Sequence, residues 1–135
     1  MKITSADNVS LITIQPPKEG SNYTGFEVVI LADLVHGQFV ANNKDVHFLN
    51  LDTFVGEFDN FISDRSLTPR LTATYDTFLE FKKSDNSLIC KYSLGDAFSG
   101  RKITRHCQSG EFTIEQECLL ELFRGFKALL AQQRL

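Results

Sequence analysis

The chain has 135 residues, 42% of them hydrophobic and 23% charged, which is ordinary for one globular domain over residues 1–135 and makes stapling by zinc or disulfides unnecessary. A net charge of −3 argues against a general nucleic-acid binder, and no window reaches the apolar length of a membrane span. Cys90, Cys107 and Cys118 form an odd, scattered set without a CxxC pair, so free thiols in a reducing cytoplasm are expected, and residues 1–7 lack the apolar core of a signal peptide.

In chain order, residues 9–14 are β-branched and apolar, and Pro16-Pro17 stops them before a polar turn at 18–22. Residues 26–32 are apolar on both alternating faces after Glu27, which predicts a central strand covered on both sides. Residues 38–41 read as the returning strand, 42–45 as a turn and 46–49 as a short strand or an approach to a helix.

The period then changes. Leu51, Phe54, Val55, Phe58, Phe61 and Ile62 share one helical face, with Asn50 as the expected N-cap and Leu49–Phe54 as a hydrophobic staple. Gly56 falls opposite that stripe, and the helix should end near Asp64, before Thr68-Pro69. Residues 70–75 alternate with Leu71, Ala73 and Tyr75 inward, 78–83 and 88–94 make two more strands around a turn at Asp85-Asn86, and reversals are expected at Gly95-Asp96 and Ser99-Gly100. Residues 103–107 form a strand with a basic outer face. Thr113 to Gln116 matches a capping box, after which Cys118, Leu119, Leu122, Phe123, Phe126, Leu129 and Leu130 form a wide apolar stripe. Glu115 and Glu117 near its start, and Lys127 and Arg134 near its end, complement the helix dipole.

The expected fold is therefore α+β. One twisted, mostly antiparallel sheet of about six to seven strands carries one inserted helix and one C-terminal helix. Twelve Phe and no Trp imply an aromatic-rich interior, and no internal repeat is visible in the sequence.

Chemistry-bearing patterns are sparse. His36, His47 and His106 have no partners at metal-ligand spacing, and the adjacent His106 and Cys107 point to opposite faces of a strand. Cys107, beside Arg105 and His106, is the one thiol placed to be reactive, but no orienting carboxylate or oxyanion donor accompanies it. The Gly95–Gly100 stretch lacks the Lys-Ser/Thr and helix start of a phosphate loop. No catalytic residue, metal site or cofactor is expected.

Charge is uneven along the chain. Residues 1–64 carry 3 basic and 9 acidic side chains, a balance of −6, while 65–135 carry 11 and 8, a balance of +3. Asp52, Glu57, Asp59 and Asp64 flank the apolar stripe of the first helix, where they either solvate it or face a basic protein partner. Lys82, Lys83, Lys91, Arg101, Lys102 and Arg105 decorate successive strands. Of these, Lys82, Lys91, Arg101 and Arg105 are the candidate anion patch, against the plainer reading of edge-protecting charge.

The element order and the closing segment Phe112-Thr113-Ile114-Glu115-Gln116-Glu117-Cys118-Leu119-Leu120-Glu121-Leu122 resemble small bacterial proteins of the WapI immunity type. Tyr23 or Phe26 stands where a Trp is expected in such proteins, and the family pattern carries over no catalytic residue. What the resemblance implies is a non-enzymatic module that binds and neutralises a partner protein. The alternative is a small-molecule binder or cryptic enzyme with a pocket between sheet and helix.

Overall fold

The computed structural model describes residues 1–99 and 101–133. Strands β1 (Lys2–Thr4), β2 (Ser10–Gln15), β3 (Phe26–Leu34) and β4 (Gly37–Val46) lead into helix α1 (Leu51–Ser63). Strands β5 (Arg70–Thr72), β6 (Phe78–Ser84), β7 (Ser87–Ser99) and β8 (Ile103–Ile114) lead through a short 3-10 turn, Gln116–Cys118, into α2 (Leu119–Gln133). The fold is α+β, but the expected single sheet is two: β1-β2-β3-β4 and β5-β6-β7-β8, each an antiparallel meander.

The same five-element unit thus occurs twice. Buried Val46, Leu51, Phe54, Phe58 and Phe61 recur at one constant separation as buried Ile114, Leu119, Leu122, Phe126 and Leu129. A repeat kept only as a hydrophobic pattern leaves too little residue identity for the sequence to reveal it.

Inner faces of both sheets and one face of each helix share a single core. Its centre is aromatic: Phe126 stands edge-on to Phe54 at 4.8 Å and to Phe58 at 5.3 Å, and Phe81 packs edge-on to Phe58 at 5.1 Å. Such contacts add to the area these rings bury.

The units also exchange backbone bonds at their ends. Phe48 bridges Ala73, with Leu49 N donating to Thr72 O and Thr74 N to His47 O, while Ala6 N donates to Thr113 O. Asn50 precedes α1 as expected but does not cap it. Its amide donates to Arg70 O and its carbonyl oxygen accepts from Thr72 N and Oγ1, so the side chain stitches the two units together.

Other expectations are corrected. The strand over 26–32 is covered on one face only: Phe26, Val28, Ile30 and Ala32 are buried, while Glu27, Val29 and Leu31 are half-exposed. Residues 42–45 belong to β4, with a register shift opposite Phe26–Val28, rather than to a turn. Gly95-Asp96 continues β7 without reversing it, because both residues pair with β8. Thr113 lies within β8 instead of opening a capping box; the helical turn starts after Glu115, which makes no side-chain cap. Tyr75 points into solvent from a turn. Gly100 and Arg134, named for a reversal and for the helix dipole, lie outside the described residues.

Candidate functional site

The two sheets are pinned where β4 meets β7. Asn43, buried on β4, donates from Nδ2 to Gly95 O at 2.8 Å, and Gly95 N donates to Thr77 Oγ1 at 3.0 Å. A side chain at Gly95 would collide with the backbone oxygen of Tyr75, so only glycine admits this approach. Tyr75 and Asp76 follow each other at φ 59° and 62°, and Thr77 N closes the turn onto Thr74 O at 3.2 Å. Two consecutive left-handed residues make this a type I′ turn, built without the Asn-Gly pair that announces one in a sequence. A tyrosine held there is strained, and the packing of its carbonyl on Gly95 maintains it.

Beside this pin lies a cleft of about 360 Å³ lined by Tyr75, Asp76, Asp96, Arg105, His106 and Cys107. His106 and Cys107 reach it from β8, where they pair with Asp96 and Gly95 of β7, and as strand neighbours they leave β8 on opposite faces. Cys107 Sγ lies 2.7 Å from Ser93 Oγ, and among the described residues it has no other hydrogen-bond partner. Among the described residues no Cys–His–carboxylate relay is assembled there.

A larger cleft, about 540 Å³, opens between the 16–25 loop, the end of β4 and the last turn of α2. His47 lines it and sets Nε2 3.1 Å from Asp45 Oδ1, which also accepts from Gly25 N at 2.8 Å. Gly25 is required there, because a Cβ would approach Val46 O and Asp45 Oδ1 within 2.8 Å. Among the described residues no group of three or more His, Cys, Asp or Glu could hold a metal ion, and no helix is long and apolar enough to cross a membrane.

All three thiols are unpaired. Cys90 is buried and Cys118 half-buried, and burial pushes both thiols up from their ordinary range, leaving Cys107 the exposed one.

The acidic set separates. Asp52, Glu57 and Asp59 are exposed on α1, which carries no basic residue, and among the described residues none of the three makes an ion pair. Asp64 closes the helix instead. Its Oδ1 accepts from Ser66 Oγ at 2.6 Å and from Ser66 N at 3.1 Å, and these bonds hold its carboxyl below the usual carboxylate range.

The basic set is dispersed. Lys82, Lys91 and Arg105 share the outer face of the second sheet, but Lys91 stands between Glu80 and Glu111, and Arg105 lies six positions beyond Glu111, about 20 Å along β8. Arg101 is exposed in the turn before β8.

The feature that the sequence did not disclose is the outer face of the first sheet. Strand register places Thr4, Leu11, Leu31 and Val40 in one row across all four strands, with Val29 beside it between Thr13 and Asn42. Leu11, Val29, Leu31 and Val40 stand outside the core, and Val40 is 55% exposed. The unbroken apolar run from Val28 to Ala32 in β3 is the signal for it, once one face of that strand is known to be open. Comparison with known proteins returns no match to a family model, a curated protein or a solved structure.

Proposed function

We propose that this chain is a non-enzymatic protein-interaction module of the bacterial cytoplasm, of the immunity type its closing helix resembles, which binds a partner protein and neutralises it. The observation supporting this is the apolar row on the open face of the first sheet. A contiguous apolar strip with a polar rim is the usual mark of a protein-docking surface. Glu27 and Asp33 share that face, and with Asp52, Glu57 and Asp59 on α1 they give the first unit an acidic character that calls for a basic partner.

Pull-downs with wild type and Val40→Asp as baits test the reading. Val40 is exposed enough that the variant keeps its fold, so the partner should be captured by wild type and lost from the variant. Reversing Asp52, Glu57 and Asp59 to Lys should slow association, and the deficit should shrink as salt rises, since screening acts over about 10 Å at 0.1 M. Equal capture by both baits removes the reading.

The second reading, a small-molecule binder, is favoured by the cleft of about 540 Å³ carrying the His47–Asp45 pair. Its volume is in the usual range for ligand pockets. Ligand-induced thermal shifts abolished by His47→Ala would support it.

A further inference from the structure

We propose that β8 is a self-recognition edge, through which two copies of this chain join their second sheets into one continuous antiparallel sheet. β8 is 12 residues long and ends the order β5-β6-β7-β8, so among the described residues one side of its backbone has no strand beside it. Among the described residues the only backbone bond to that side is Ala6 N to Thr113 O, at the far end. Residues of an antiparallel strand alternate in the direction of their amide and carbonyl, so this bond assigns the open side to Thr113 and every second residue before it: Glu111, Ser109, Cys107, Arg105 and Ile103. An unprotected edge of this length invites another strand.

Charge selects the strand and its register. On the outer face one row reads Arg70, Glu80, Lys91, Glu111, with Arg70 Nη1 3.2 Å from Glu80 Oε2. The row alternates in sign and stops on an unanswered carboxylate. A second β8, laid antiparallel about a two-fold axis at Gln108, places its Arg105 opposite Glu111 and its Ser109 opposite Cys107. All of these residues are on the open side, so their backbones can exchange hydrogen bonds. The axis repeats the Arg105–Glu111 pair, and both charge rows then continue across the junction without a like-charge contact. A slip of two residues would set Arg105 against Ser109 and Cys107 against itself, and would lose both pairs. Ala6 at Thr113 confines the pairing to Arg105 through Glu111, a short interface that suits a weak, concentration-dependent dimer.

Sedimentation velocity over a concentration series should show wild type passing from monomer to dimer. Arg105→Glu and Glu111→Arg should each weaken self-association about tenfold or more, because each faces like charge on like twice. Mixing the two variants should restore the dimer, since every junction then pairs opposite charges, and this arm also shows that both are folded. Gln108→Cys in a Cys107→Ser background should form an intermolecular disulfide under mild oxidation, because residue 108 faces itself across the axis at the close, non-hydrogen-bonded spacing. A monomer at every concentration, a mixture no stronger than its parts, or crosslinking of wild type through Cys107 in place of residue 108 would each overturn the proposal.

Discussion

Across the first sheet the outer row reads Thr4, Leu11, Leu31, Val40; across the second it reads Arg70, Glu80, Lys91, Glu111. Beneath these rows the units match: Phe58 of α1 and Phe126 of α2 occupy equivalent places, and both are fully buried. The difference shows which part of the architecture is constrained. The inner faces must fill one shared core, so they keep their pattern, whereas the outer faces are free to diverge, one toward an apolar strip and the other toward alternating charge.

The loops diverge as well. Between β2 and β3 the first unit carries the 16–25 loop that walls the larger cleft, where the second has the tight turn at Asp85-Asn86 between β6 and β7. The second unit instead extends β7 and β8 beyond the core, and there Arg105, His106 and Cys107 are exposed.

The sharpest test of this equivalence is a pair of truncations. Phe58→Ala and Phe126→Ala should each cost about 3–5 kcal/mol in urea unfolding, because each removes a ring packed edge-on against others at the core centre. A loss below about 1 kcal/mol at either position would break the match between the helices.

Next in size is the pin between the units, to which the first contributes Asn43 and the second Gly95. Gly95→Ala forces the Tyr75 carbonyl away and should cost about 1–3 kcal/mol, as overpacking does. Asn43→Ala should cost about 1–3 kcal/mol by leaving Gly95 O without its donor. Adding the two changes together should cost less than their sum, since both open the same contact; full additivity in a double-mutant cycle would show that the sheets are not joined there.

Smallest, and opposite in sign, is the effect of helix glycines. A methyl at Gly56 meets nothing within 4 Å, so Gly56→Ala should stabilise by about 0.5–1 kcal/mol. At Gly125 of α2 the new Cβ would lie 3.0 Å from the Met1 side chain, so the gain there should be smaller. Thermal melts of the two variants would separate them, and an equal gain would mean that Met1 yields freely.

Much of this fold is legible in the residues, and the illegible parts have physical causes. Both helices follow from their apolar stripes, and strands β6 and β7 from alternation at Leu79, Phe81, Leu88, Cys90, Tyr92 and Leu94. Strand β1 is too short to carry a period, with only Ile3 buried between exposed neighbours. The division into two sheets was hidden because local pattern says that strands pair but not where a sheet stops. Thr113 satisfied a capping-box pattern while serving as the partner of Ile89 in a ladder, a case of tertiary pairing overriding a local signal. Asn50 lay where a cap was expected, but its side chain found partners twenty residues and more away. The apolar row was invisible for a different reason: Leu11, Leu31 and Val40 are far apart in the chain and become neighbours only through register.

The bond from Ala6 to Thr113 bears on how the chain is made. During synthesis the first unit emerges whole, yet its first strand waits for the last one to tie down the segment that follows it. Phe54 and Phe58 likewise wait for Phe126 to cover them. A nascent chain bearing only β1 to α1 therefore holds a sheet with an unfinished core, and its folding completes late, as one event spanning both units. Two units that repeat one another in form are in this respect not two folding units: neither has a complete core without the other.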